Sequence, residues 1–132
     1  MFNQVEKNKN LPDVLLVEND KASRDIIRYF LRKICNVDFA ENGNEALKKV
    51  TSVKYSAVLM DINLGLGISG VETAQNIRKV PGYEKIPIAA ITAYAMVGDK
   101  EKFLSLGCTH YLAKPFDKED LQDLVKEIIA IQ

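Results

Sequence analysis

Ala57-Val58-Leu59-Met60-Asp61-Ile62-Asn63 is the stretch that decides the fold. Four apolar residues run straight into one carboxylate. The run is short, follows Lys54-Tyr55-Ser56 and precedes Gly65, Gly67 and Gly70. It reads as a strand buried on both faces. Asp61 then stands at or just past the strand's carboxyl end, where open α/β sheets bind their ligands. That makes Asp61 the candidate reactive group. The plainer reading is that Asp61 only opens a turn, and the other strands decide between the two.

Working outward, Asp13-Val14-Leu15-Leu16-Val17 reads as a first buried strand ending in Glu18-Asn19-Asp20. A helix is predicted over Lys21 to Ile34, with Ile26, Ile27, Phe30, Leu31 and Ile34 at one-turn spacing and Asn36 as its breaker. Val37 to Ala40 is a short second strand. Asn44 is the expected cap of a helix over Glu45 to Thr51. After Asp61 come a glycine-bearing loop, a helix over Gly70 to Lys79, and a strand over Ile86 to Thr92. A weaker helix over Met96 to Leu106 stops at Gly107. A strand over Cys108 to Leu112, the loop Ala113-Lys114-Pro115-Phe116 and a helix over Lys118 to Ile131, capped by Asp117, complete the chain.

Five strands alternating with five helices imply a parallel sheet covered on both faces. The expected fold is α/β, flavodoxin-like and doubly wound, with strand order 2-1-3-4-5. In that order Glu18, Asn19 and Asp20 lie beside Asp61.

Composition narrows the function. The chain has 132 residues, which suits one domain, expected over 12–132 behind a flexible leader over 1–11. Eighteen basic residues balance eighteen acidic ones, which argues against a nucleic-acid surface. No apolar run reaches membrane-spanning length, and the first ten residues lack the apolar core of a signal peptide. The expected location is cytoplasmic. Cys35 and Cys108 read as buried small side chains, and His110 as a structural or surface residue.

The strand ends carry the chemistry. The first strand offers Glu18 and Asp20, the third Asp61, the fourth Thr92, and the fifth leads to Lys114. Clustered carboxylates repel unless a cation sits among them, and hard oxygen ligands suit magnesium. A lysine and a hydroxyl opposite that cation form a pocket for phosphoryl oxygens. Taken singly, Thr92 is a β-branched strand residue, Lys114 a solvated charge and Tyr111 an edge aromatic.

At this point the chain resembles the receiver domains of two-component response regulators. The matching pieces are Val14-Leu15-Leu16-Val17-Glu18, Val58-Leu59-Met60-Asp61-Ile62-Asn63, Ala90-Ile91-Thr92-Ala93 and Tyr111-Leu112-Ala113-Lys114-Pro115. The resemblance implies that Asp61 accepts a phosphoryl group from a histidine kinase or a phosphotransfer protein. It implies a Mg2+ (or Mn2+) site made by Glu18, Asp61 and the backbone carbonyl of Asn63, with Asn19 or Asp20 as a further candidate. Lys114 pairs with the phosphoryl charge. Thr92 and Tyr111 switch the surface formed by the fourth helix, fifth strand and fifth helix. Asn63 and Tyr94 stand where the family tunes loss of the phosphoryl group, and Lys114-Pro115 matches a bond that is usually cis.

The first helix, with Arg24, Arg28 and Tyr29 on its exposed face, is the implied kinase-facing element. The domain is then a regulatory phosphoacceptor and not an enzyme, with at most slow self-phosphorylation from small donors and self-dephosphorylation. Its downstream partner would be a protein. No output domain follows Gln132, so a stand-alone regulator and a piece of a hybrid kinase both fit. One departure stands out: Asn19 occupies a position that is usually acidic, which predicts weaker magnesium binding. The same departure supports the alternative of a degenerate receiver that binds partners without phosphorylation.

Overall fold

The computed structural model describes residues 7–64, 67–93 and 98–130. The order is β1 (Asp13–Val17), α1 (Lys21–Leu31), β2 (Asn36–Ala40), α2 (Gly43–Ser52), β3 (Ala57–Asp61), α3 (Gly70–Arg78), β4 (Ile88–Thr92), α4 (Asp99–Ser105), β5 (His110–Ala113) and α5 (Lys118–Ala130). The five strands form one parallel sheet in the order β2-β1-β3-β4-β5, as expected.

Side chains alternate across each strand, so every central strand feeds two cores. Leu15, Val17, Val58 and Met60 join Ala46, Val50, Ala74 and Ile77 from α2 and α3 on one side. Val14, Leu16, Leu59 and Ile91 join Ile27, Leu31, Leu121, Val125 and Ile128 from α1 and α5 on the other. All five residues of β3 and of β4 are buried, whereas the edge strand β5 is half-buried throughout.

Local chemistry sets the helix ends and corrects several expectations. Helix α1 stops at Leu31, three residues early, because Ile34 and Cys35 both turn their N–H groups onto the Leu31 carbonyl. Asn36 is not a breaker but the first residue of β2. Its amide donates to the carbonyls of Asn8 and Leu11 and to Asp13 Oδ1. Of the leader expected over 1–11, residues 1–6 lie outside the described residues. Lys7 pairs with Asp38, and Asn8 N–H donates to Asn36.

The cap of α2 is Asn42, not Asn44; its Oδ1 accepts Glu45 N–H at 2.8 Å. Helix α3 begins at a capping box between Ser69 and Glu72. Asp117 caps the first turn of α5 as expected, accepting Asp120 N–H at 2.8 Å. Gly107, at φ +110°, ends α4 as expected, with Cys108 N–H returning to the Phe103 carbonyl. That return delays β5, which runs over His110–Ala113 instead of starting at Cys108.

Both thiols are buried, and burial pushes Cys35 up to about 12 and Cys108 up to about 11, so both stay protonated near neutral pH. His110 lies 3.0 Å from Glu127 on α5. No helix among the described residues is long and apolar enough to cross a membrane.

Candidate functional site

Three carboxyl-end loops of the sheet converge on Asp61. The residue ends β3 and is only 6% exposed. Its Oδ1 accepts the N–H of Asn63, two residues on. The backbone leaves the strand tightly, with Ile62 N–H donating to Ile91 O and Gly70 N–H to Ile62 O. Gly70 sits so close that a Cβ would stand 2.5 Å from Asp61 O and 2.7 Å from Ile62 Cα. A side chain there would push on the segment that aims the carboxylate.

Glu18, just past β1, is 2% exposed and faces the same space. Its Oε2 accepts Asp20 N–H at 3.1 Å, and its Oε1 lies 3.2 Å from Lys114 Nζ. Lys114 Nζ is also 3.9 Å from Asp61 Oδ2. The Lys114 backbone N–H donates to Thr92 O at 2.8 Å, and its bond to Pro115 is cis. Thr92, at the end of β4, is 1% exposed. Glu18, Asp61, Thr92 and Lys114 are therefore gathered at one sheet rim.

The electrostatics of this rim are unbalanced. Two buried carboxylates share one lysine. Burial first, and the neighbouring Glu18 charge second, push Asp61 up to about 7, while Lys114 and the Asn63 N–H pull it back. An anion in this position gains from any cation that enters. Among the described residues no three His, Cys, Asp or Glu side chains are arranged as a metal-binding group. The donors that do meet, Glu18 and Asp61, are hard oxygens. Two carboxylates are a donor pair that suits Mg2+, which usually keeps several waters.

The neighbours named with them are engaged elsewhere. Asp20 Oδ2 caps α1 by accepting Ser23 N–H at 2.9 Å, which holds its carboxyl below the usual range. Asn19 Nδ2 donates to Leu64 O at 3.3 Å, tying the loop after β1 to the loop after β3. Tyr111 stands on β5, half-buried, with its ring stacked on Phe103 of α4 at 5.9 Å between centroids. Tyr94 lies outside the described residues.

Arg24 overturns an expectation. It is not on the exposed face of α1 but 7% exposed, with Nη1 donating to the Glu18 carbonyl at 3.1 Å. The helical pattern alone put a charged residue in water; Phe39 and Glu41 from β2 and its loop make the buried setting. Tyr29 is exposed as expected (59%), and Ile26 (53%) is the other exposed large hydrophobic side chain of α1. Between α1 and the loop after β5 lies a cleft of about 410 Å³, lined by Ile26, Phe30, Lys114, Pro115 and Phe116 among others.

A doubly wound domain with two carboxylates, a hydroxyl and a lysine at its rim defines a class of phosphoryl-handling α/β proteins. The response regulator receiver domain profile matches residues 14–126, and the chain belongs to that family. It is 38% identical over 118 residues to the probable transcriptional regulator ycf29 of Porphyra purpurea, covering 89% of this chain and 56% of that protein. It is 30% identical over 121 residues to the signal transduction histidine-protein kinase BarA of Escherichia coli K12, covering 91% of this chain and 13% of the kinase. The chain thus spans about half of one relative and a small part of the other.

Among solved structures it resembles the receiver domain of a sensor histidine kinase from Pseudomonas aeruginosa PAO1. The TM-score is 0.82 and the identity 32%, covering 91% of this chain and 98% of that one. That structure carries a magnesium ion coordinated in its active-site cleft. Receiver domains are regulatory domains of two-component systems, and this chain is one of them.

Proposed function

We propose that this receiver takes a phosphoryl group onto Asp61 and answers with a change of surface. One observation carries the reading: the Asp61 carboxylate is buried beside Glu18 and within 3.9 Å of the Lys114 ammonium. A carboxylate oxygen of Asp61 attacks phosphorus in line. The bond from phosphorus to the donor nitrogen or oxygen breaks, and its electron pair leaves with the donor. An acyl phosphate remains on Asp61. Lys114 meets the charge that gathers on the equatorial oxygens, and the Thr92 hydroxyl donates to one of them.

Glu18, Asp61 and the Asn63 carbonyl would hold a Mg2+ or Mn2+ ion, which would supply neutralising charge at the acceptor. Support comes from the oxygen donor set and from the magnesium in the Pseudomonas relative. Asn63, exposed beside the acceptor, governs access of the water that hydrolyses the acyl phosphate.

The donor is a phosphohistidine on a kinase or phosphotransfer protein. The apolar cleft beside Lys114 and the exposed Ile26 and Tyr29 suit a helical partner that brings its histidine to Asp61. Output follows from Thr92 and Tyr111: a hydroxyl drawn to the phosphoryl group lets the Tyr111 ring leave Phe103, which alters the α4-β5-α5 surface toward a downstream protein. Incubation with acetyl phosphate and magnesium, read by intact mass, tests the acceptor. A single phosphoryl adduct that Asp61→Asn abolishes supports it. No adduct at saturating magnesium favours the module that binds without phosphorylation.

A further inference from the structure

We propose that Arg24 is a positioning residue of the acceptor site, clamping the backbone that aims Glu18; this rests on the reading of Glu18 and Asp61 given above. The guanidinium is buried and used in three directions. Nη1 donates to the Glu18 carbonyl at 3.1 Å. Nη2 lies 3.6 Å from Glu41 Oε1. The Cζ atom sits 4.3 Å over the Phe39 ring. A buried guanidinium is costly unless paired in this way, and the planar fork, with its stacking face, is what lysine cannot reproduce.

The clamp acts on a residue already held through its N–H. Glu18 N–H donates to Ala40 O at 2.9 Å, the last bond of the β1–β2 ladder. Arg24 therefore fixes the same residue through its carbonyl. The carboxylate beyond it is shared between Asp20 N–H at Oε2 and Lys114 Nζ at Oε1. If the Glu18 carbonyl loses its donor, the turn over residues 18–20 is free to rotate, and both of those contacts loosen. Phe39 and Glu41 belong to β2 and the loop that follows. Arg24 thus ties the edge of the sheet to the acceptor rim, a link invisible in the local sequence.

The test compares wild type with Arg24→Met, which keeps an apolar stem on Phe39, and with Arg24→Lys. Glu41→Gln, on an exposed loop, serves as a milder variant that keeps the arginine. Three quantities are read on the intact chain: the Asp20 amide resonance without metal, magnesium affinity by calorimetry, and thermal unfolding. The Asp20 amide is expected to move upfield in both Arg24 variants. Magnesium binding is expected to weaken by about tenfold, the usual scale for losing an outer partner of a ligand, and Glu41→Gln to show a smaller loss. An unmoved Asp20 amide with unchanged magnesium affinity and a lower Tm overturns the proposal, since Arg24 would then serve stability alone. A shifted Asp20 amide in a protein whose wild type binds no magnesium supports the clamp and overturns the metal reading of the site.

Discussion

Lys114 Nζ lies 3.2 Å from Glu18 Oε1, although 96 residues separate the two in the chain. The lysine is 26% exposed in its side chain and the glutamate 2%. The pair is therefore a buried anion neutralised from the solvent side. On the function proposed above, Lys114 would compete with a metal ion for the same oxygens and would have a better anion to meet once a phosphoryl group arrived.

Replacing this lysine separates its two roles. Lys114→Gln is expected to slow phosphoryl uptake from acetyl phosphate by about 10²–10³-fold, the scale of losing one transition-state charge partner. Magnesium affinity is expected to hold or tighten, because a competing cation has gone. Calorimetry beside a time course of intact mass checks both. A large loss of magnesium binding would contradict this division of roles.

The raised Asp61 acid makes metal-free stability pH-dependent. Between the ordinary value of 3.8 and about 7, folded Asp61 keeps a proton that the unfolded chain has lost. The folded state binds more protons there, so stability falls as pH rises through that window. Asp61→Asn removes the slope. At pH 7.5 without metal the variant is expected to be more stable than wild type by about 1–3 kcal/mol, since each tenfold change in proton affinity is worth about 1.4 kcal/mol. Urea melts from pH 4 to 8 check the slope, and equal slopes in the two proteins would contradict it.

Asn19 brings an oxygen but no charge, and its amide donates to Leu64 O. Asn19→Asp is expected to tighten magnesium binding by about tenfold through the added charge. The metal-free variant is expected to lose about 1 kcal/mol, because its carboxylate cannot donate to the Leu64 carbonyl. Calorimetry and thermal melts with and without magnesium check the opposite signs.

Gly70→Ala places a Cβ where Asp61 O and Ile62 Cα already stand, at 2.5 and 2.7 Å. The variant is expected to be destabilised by about 1–3 kcal/mol, as overpacked sites are. Its uptake of phosphoryl groups should also fall, because the strain falls on the acceptor's own backbone. A Tm and an uptake rate equal to wild type would contradict the tight exit from β3.

Much of this was legible because the inner strands carry their own signal. Val14 to Val17, Ala57 to Met60 and Ile88 to Ile91 are apolar without interruption and end on Glu18, Asp61 and Thr92. Alternation with helices then fixes the neighbours, and the rim follows. What the sequence hid depends on contacts between distant segments. Arg24 has the spacing of a solvated charge, but Phe39 and Glu41 from across the fold pack against it. Arg32 to Cys35 are compatible with helix, yet Asn36 is taken by Asn8, Leu11 and Asp13, which draws the chain into β2. Asn42 and Asn44 flank the same glycine, and the local mark that separates them is Glu45, three residues after Asn42, at capping-box spacing. Ile26 has the spacing of a core residue, but at 53% exposed it lines the rim of the cleft beside Lys114 instead.

The most direct measurement is the location of the acyl phosphate. The protein is treated with acetyl phosphate and magnesium, reduced with borohydride, digested and sequenced by tandem mass spectrometry. Reduction of an aspartyl phosphate leaves homoserine, and the account predicts it at position 61 alone. Homoserine at another aspartate, or none in a folded protein saturated with magnesium, would contradict the central claim.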